Sequence, residues 1–574
     1  MTKDTIDLFM WGYQSHFRIM LRLAAEKLFE AIKAPGKPQA MLVGVRRPGI
    51  TNAHPICIDP EYDAWPLSLF DDFDAGLSKA IGEHAGNDMF YTNDPKSNAE
   101  KPERIRTSAI KDEVRRRLKP YDDQNGVVSF CGTPTPVDKH YVVPVVQIPA
   151  ALFHRYPAIE RIGFEHKERR LSFIEECMRQ LLKDASIALW RPDAGHHLEE
   201  FRPGDEVAAR AAQALMREAA GMVRQNAVPG ELFTALNDLA HLRYEGAANA
   251  GSIVLADAKR HSLSFVTRLA TPVHLSERRW CRKLLQMASD GAALLSDCEH
   301  ALGVGRVEAI DADDAPFVVS FIEQGWDLHT GDREIIRVRL GRAQLPGEPV
   351  ERTRFDDNVS RIFAGAPHDL DGLWAIWNAL IEIPGGALAI IAADAEAEAV
   401  RLARQGMRIE PALARSDLLS RARRMDGALL IDPMGRCHAI GVILDGEAND
   451  ACTASRGSRF NSAVRYVRNG DAPRVAFILS DDLTANIEPM LRPRVSMAAL
   501  EGAIARLEAA SLDEYLKPLH FLDENRFYLD AARCDRINAA VERIGALPKQ
   551  AGRIYVTVSR FKPHPDMCDA YLIA

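Results

Sequence analysis

Pro384-Gly385-Gly386-Ala387-Leu388-Ala389-Ile390-Ile391-Ala392 is the stretch whose reading decides the fold. A proline and two glycines make a turn, and the six uncharged apolar residues after them are too few for a helix and suit a strand. Working outward, Leu370 to Ile381 reads as a helix before the turn and Glu396 to Arg404 as a helix after the strand. The alternation continues: helix Ser416 to Arg424, strand Ala428 to Ile431, turn Asp432-Pro433-Met434-Gly435, strand Cys437 to Leu444, helix Phe460 to Val467, strand Arg474 to Leu479. Strands alternating with helices predict a mixed sheet flanked by helices on its faces.

Upstream the pattern is also that of packed domains. Apolar residues at helical spacing from Phe17 to Ile32 precede a strand at Ala40 to Val45. The polar stretch Gly86 to Asn125, with Arg115-Arg116-Arg117, predicts a loop and one exposed helix. Val142 to Ile148 predicts a strand near a sheet edge, because Pro144 cannot donate to a ladder. A helix over Leu171 to Leu189 follows, and the turn Arg202-Pro203-Gly204-Asp205 marks a boundary. Helices Glu206 to Val223 and Leu232 to Leu242, strands Ser252 to Leu255, Leu263 to Thr267 and Ile335 to Leu340, and a helix Glu277 to Met287 make the middle region α/β or α+β. Leu345-Pro346-Gly347-Glu348-Pro349 is a joint. The fold class expected is therefore multidomain α/β: an N-terminal domain over 1–200, a middle α+β domain over 205–345 suited to sensing, a nucleotide-binding domain over 366–495, and an extension over 496–574 with helical Ala498 to Ala509 and a strand at Ile554 to Val558.

A chain of 574 residues is long enough for several cores, and 47% hydrophobic with 26% charged residues excludes a disordered, fibrous or membrane-embedded protein. The net charge of −8 argues against a generally basic nucleic-acid binder, and nucleic acid is not inferred as a partner. Nine scattered cysteines without a Cys-x-x-Cys pair, no uninterrupted apolar N-terminal core and no run of about 18 apolar residues point to a reducing, cytoplasmic protein without a membrane span.

Three elements in the C-terminal sheet carry chemistry. Asp426-Gly427-Ala428 sits between a helix and a strand, where a glycine lets backbone approach a ligand and a carboxylate can bind a divalent metal. Arg456-Gly457-Ser458-Arg459-Phe460-Asn461 enters a helix, whose N–H groups, hydroxyl and guanidinium suit a phosphate. Ser480-Asp481-Asp482 offers paired carboxylates at a strand end. Each also has a bland reading as a turn or a capped helix.

Their order, with Gly385-Gly386 ahead of them and the strand Ala439 to Leu444 between them, resembles the diadenylate cyclase domain of the DNA-integrity-scanning protein family, over residues of about 370–487. That family carries Asp-Gly-Ala, an apolar adenine contact, Gly-Thr-Arg-His-Arg and Ser-Glu-Glu. The resemblance implies that Asp426 and Arg459 are catalytic, that Asp426 and Asp482 bind Mg²⁺ or Mn²⁺, and that Gly427 and Ala428 meet the nucleotide through backbone. It further implies that Leu444 packs on adenine and that Gly457, Ser458, Asn461 and Arg456 contribute to nucleotide binding. Two ATP-bearing domains would meet face to face in a homo-oligomer and condense two ATP into cyclic di-AMP or a related cyclic dinucleotide. The chain departs from the family where Phe460 and Asn461 replace its His and second Arg, which removes cationic groups from the phosphate. A catalytically weak nucleotide sensor that regulates the upstream domains is the alternative. Of Arg456 and Arg465, Arg456 is better spaced to compensate.

Other motifs are weaker. His196-His197 with Glu199-Glu200 reads as a solvated loop, Gly303-Val304-Gly305-Arg306 as a turn, Arg46-Arg47-Pro48-Gly49 as a surface turn, and Arg278, Arg279, Arg282 and Lys283 as a solvated helix face.

Overall fold

Ala387–Ala392 forms strand β1, and all six of its side chains are buried. The reason is visible in the computed structural model, which describes residues 5–6, 10–60, 65–89, 94–162, 168–196, 201–224, 231–242, 249–257, 261–288, 291–309, 315–323, 325–347, 350–382, 386–422, 425–447, 458–480, 485–512, 514–548 and 558–573. Ala387, Ala389 and Ile391 face one apolar layer with Phe355, Leu373 and Trp377, while Leu388, Ile390 and Ala392 face another with Ala399, Ala463 and Tyr466. A strand covered by helices on both faces needs an unbroken aliphatic run, which is what the sequence supplies.

The elements of this sheet domain run α1 (Arg352–Ile362), α2 (Leu370–Glu382), β1, α3 (Ala395–Arg401), β2 (Met407–Leu413), α4 (Ser416–Ala422), β3 (Ala428–Ile431), β4 (Arg436–Val442), α5 (Ser458–Arg468), β5 (Arg474–Leu479) and β6 (Ala485–Glu488). The sheet order is β2-β4-β3-β1-β5-β6. β1 and β3 are parallel and the other pairs antiparallel, so the sheet is mixed as expected. Sequence periodicity does not predict β2: it is an edge strand, largely exposed, with Pro411 inside it, so no buried face imprints an alternation. α1 and β6 are likewise added by the structure.

A charged cluster clamps the two helices of one face to the sheet. Arg474, at the start of β5, pairs with Asp394 at 2.7 Å and with Glu398 of α3 at 3.2 Å, and its guanidinium lies 4.4 Å over the Tyr466 ring of α5. The Tyr466 hydroxyl donates to Glu398, and Arg401 bridges Glu398 at 2.6 Å and Asp445 at 2.9 Å. Arg474, Tyr466 and Glu398 are buried, so the charges are compensated mainly by one another.

The chain divides into two compact units, 1–346 and 347–574. In the second, three helices, α6 (Met497–Ala509), α7 (Leu516–Glu524) and α8 (Ala531–Gly545), gather their own apolar cluster around Ile504 of α6, Leu519 of α7 and Ile537 of α8. Tyr528 donates to the Pro493 carbonyl at 2.8 Å, and Val495 pairs with Leu572. The strand expected over Ile554 to Val558 falls, but for Val558, outside the described residues.

The first unit holds a sheet ordered Thr5–Ile6, Ile56–Asp59, Gln39–Arg46, His140–Pro149, Val127–Cys131, with Thr135–Val137 also on His140–Pro149. Its second sheet is ordered His261–His274, His300–Ala309, Ala293–Ser296, Asn249–Leu255, Phe317–Glu323, Gly325–Thr330, Arg333–Arg339, Arg342–Gln344. Helix Gly204–Val223, after the turn at Arg202, packs against helices Gln14–Ala31 and Phe173–Ala188 in an apolar core that extends into the second sheet.

Four expectations are corrected. The Val142 to Ile148 strand is interior; Pro144 is tolerated because its neighbour strand breaks between Cys131 and Thr135, where no N–H is needed. The Gly86 to Asn125 stretch contains a 31-residue helix, Pro95–Asn125, whose Ile105, Ile110, Val114 and Leu118 are buried, so it is not merely an exposed helix. Gly303 and Gly305 lie in a strand and not a turn: a Cβ on either would come within 2.3 Å and 2.2 Å of the carbonyls of Thr267 and Ser264. Arg282 is buried and donates to the Leu242 carbonyl, leaving the solvated face. Among the described residues no helix is long and apolar enough to cross a membrane.

Arg474→Met strands Asp394 and Glu398 without their shared cation and should cost about 3–5 kcal/mol, whereas Tyr466→Phe loses one hydrogen bond to a carboxylate and should cost about 1.5–3 kcal/mol; calorimetric unfolding checks the order. Hydrogen bonds from Arg401 hold the Glu398 and Asp445 carboxyls below their ordinary 4.5 and 3.8. A depressed folded-state value stabilises above the unfolded value and is lost as pH falls through the folded one. The wild-type melting temperature should therefore drop on acidification below about pH 4 more steeply than that of Arg401→Met.

Candidate functional site

Because β1 and β3 are parallel, their N-terminal ends lie at one edge of the sheet, and the antiparallel strands bring their C-terminal ends to it. Ala387 pairs with Leu479 of β5, and Ala428 with Val442 of β4. Gly386, Asp426, Gly427 and Gly441 therefore converge there. Helix α5, whose C-terminal part carries Tyr466 of the clamp, begins at this edge with Ser458 and Arg459.

These groups line one small cavity of about 20 Å³: Asp426, Gly427 and Arg459, with Gly386, Gly441 and Met425 around them. That is about the room of a single water, so the cavity is a seat for one polar group, with the rest of a ligand lying across the exposed surface at Asp426 and Gly427. Asp426 and Arg459, from two different elements, both line this cavity. A polyanion with a cation can meet both.

Gly427 has a steric reason to be glycine. Its φ is +104°, and a Cβ would lie 2.5 Å from the carbonyl carbon of Gly441. The close approach of the two backbones forms the cavity floor, and the Gly427 N–H donates to the Asp426 carboxylate at 3.0 Å, tying the acid to the turn. Met425 and Gly441 stand in the motif stretches but receive no site role from them; an isolated glycine inside the strand Ile440-Gly441-Val442 is the signal for such an approach.

The other expected residues divide. Ala428 is buried at the start of β3 and does not line the cavity. Ser458 is exposed at the first position of α5, and Asn461 is half-buried; neither lines the cavity, nor does Arg465. Leu444 packs, half-buried, against the apolar layer of α3 and α5, and Phe460 packs against the same layer. Phe460 is thus an apolar anchor at the start of α5. Arg456, Gly457, Asp481 and Asp482 lie outside the described residues, as do His197, Glu199 and Glu200; Ser480 directly follows β5 at this edge.

A divalent cation fits on donor chemistry. Mg²⁺ or Mn²⁺ takes oxygen ligands, and Mg²⁺ is commonly held by one or two carboxylates together with substrate phosphates. Asp426 supplies one exposed carboxylate, and among the described residues no group of three or more acidic, His or Cys side chains forms a preassembled cage.

Residues 378–484 match the family described as DisA bacterial checkpoint controller nucleotide-binding. Residues 10–216 match that described as "Probable sensor domain DACNG", and residues 230–332 that described as "Probable sensor domain DACNH". Among solved structures, the crystal structure of a double mutant of DacA from Staphylococcus aureus is 16% identical, covering 21% of this chain and 87% of that one with a TM-score of 0.18. No curated protein matches the chain.

Gly427→Ala should destabilise the sheet domain by about 2–4 kcal/mol, since left-handed strain and backbone overlap add. Ala428→Gly, at a buried strand position next to Gly427, tests the specificity of that effect by calorimetry and should cost less.

Proposed function

We propose, from the premise that residues 378–484 are a DisA-type nucleotide-binding domain, that the chain is a diadenylate-cyclase-like nucleotidyltransferase with two upstream sensor domains. One observation carries the reading: Asp426 and Arg459, distant in sequence, line the same cavity beside the exposed Gly427. A nucleoside triphosphate brings both a polyanion for Arg459 and phosphate oxygens that share a cation with Asp426.

In this reading ATP lies over the sheet edge with its phosphates toward the start of α5, where Ser458 and backbone N–H groups face anions. Arg459 neutralises phosphate charge, and Gly427 lets the nucleotide approach the β3 backbone. Leu444 contributes an apolar surface for the base. The reacting partner is a second ATP held by a second copy of the domain: each 3′-hydroxyl loses its proton to water as its oxygen bonds to the α-phosphorus of the opposite ATP, each bond from α-phosphorus to the pyrophosphate oxygen breaks, and two pyrophosphates leave. When bound, Mg²⁺ or Mn²⁺ would be held by Asp426, with Asp482, and would stabilise the charge on the phosphates. The protein's own contribution is positioning and charge compensation.

The packing of Phe460 against the helix-side layer favours a second reading. It removes a cationic or hydrogen-bonding group from the start of α5, so phosphate binding rests on fewer charges, and the domain would bind nucleotide as a sensor with weak turnover.

Mass spectrometry of the products formed from mixed nucleoside triphosphates with Mg²⁺ or Mn²⁺ separates the two. A cyclic dinucleotide with pyrophosphate release, lost in Asp426→Asn and reduced by about 10²-fold or more in Arg459→Gln, supports the enzyme. Saturable binding without product under either metal supports the sensor and rejects the enzyme.

A further inference from the structure

The sensor-like region 230–332 contains a cavity of about 530 Å³, wide enough for a small metabolite. It lies between helix Glu231–His241, the turn that follows strand His261–His274, and the hairpin tip joining Ala293–Ser296 to His300–Ala309. Its floor is apolar, from Leu232, Ala235, Leu275 and the Cys298 thiol, all buried. Its rim is charged with both signs: Asp238, Arg278 and Glu299.

The hairpin tip is strained in a way that serves this cavity. Cys298 has φ +78°, in the left-handed region that a side-chain-bearing residue rarely adopts. The conformation is held from both sides: Ser296 accepts from the Cys298 N–H at 3.1 Å, and Asp297 accepts from the N–H groups of Glu299 at 3.0 Å and His300 at 2.7 Å. Three hydrogen bonds thus hold a costly backbone that turns Cys298 to the floor and Glu299 to the rim. Of the rim charges, the Arg278–Asp238 pair is loosely tied, whereas Glu299 is held in a close ion pair by Arg224. Arg278 meets Asp238 through one 3.3 Å contact, and their side chains are 56% and 34% exposed, so this pair contributes little and can open to a ligand.

We propose that this cavity binds a zwitterion with an apolar side chain, the chemistry of an amino acid or a short peptide. Arg278 takes the carboxylate, Asp238 takes the ammonium, and the floor takes the side chain. A purely anionic ligand would face the Asp238 carboxylate, and a purely cationic one the Arg278 guanidinium. A zwitterion satisfies both without leaving a rim charge opposed.

Calorimetric titration of the full-length protein with leucine, with the dipeptide Leu-Leu, and with N-acetyl-leucine amide tests this, and its outcome does not depend on nucleotide turnover. Binding of leucine or Leu-Leu at about millimolar concentration or below, no binding of the doubly capped compound, and affinity weakened about tenfold or more in both Arg278→Gln and Asp238→Asn are expected. Tighter binding of one zwitterion identifies the source. Thr234→Trp, at an exposed lining position, should block binding with the rim charges intact, and ligand-free melting curves confirm that each variant folds. Absence of binding by both zwitterions, or affinity unchanged in the charge variants, overturns the proposal.

Discussion

Burial of the Arg474 guanidinium is the constraint on which the candidate site depends. An arginine so placed must be met by carboxylates, and it is met by Asp394 just after β1 and by Glu398 on α3. Tyr466 then hydrogen-bonds Glu398 from α5, and Arg401 draws in Asp445 from the segment after β4. One cluster at the end of β1 where Asp394 lies fixes the helix whose first turn carries Arg459 and the segment that carries Leu444. Tyr466 of this cluster lies about 10 Å from Arg459 along the same eleven-residue helix, so the cluster helps to position the candidate site.

The opposite edge is held by backbone. Two glycines let β3 and β4 approach closer than side chains allow, and Asp426 is anchored by the N–H of the residue after it. The result is a narrow seat lined by Asp426 and Arg459, preformed enough to select a charged group and too small to enclose a nucleotide. A ligand that bridges the two must lie mostly on the surface, which is consistent with a reaction between two such surfaces.

Much of this was legible in the residues. β1, β3 and β5 are short aliphatic runs between helices, and strands buried on both faces leave that signature without ambiguity. Asp426-Gly427 and Arg459 could be picked out by motif order, and the fold brings them to one cavity. What sequence did not reveal depends on partners far along the chain. The exposed edge strand β2 has no buried face to pattern it. The interior position of Pro144 depends on a break in a neighbouring strand, and Gly441 matters only because Gly427 lies against it. Phe460 reads only as a residue without phosphate-binding groups, and its role as an apolar anchor of α5 comes from its packing against the helix-side layer.

The central claim is that Asp426 and Arg459 act on one bound polyanion. A double-mutant cycle on ATP affinity, with Asp426→Asn, Arg459→Gln and the pair measured by calorimetry with and without Mg²⁺, addresses it most directly. The account predicts that each single change weakens ATP, that the Asp426 effect requires Mg²⁺, and that the two are non-additive by about 0.5–3 kcal/mol, as for groups sharing a ligand. Strictly additive effects, or ATP affinity indifferent to both substitutions, would contradict it.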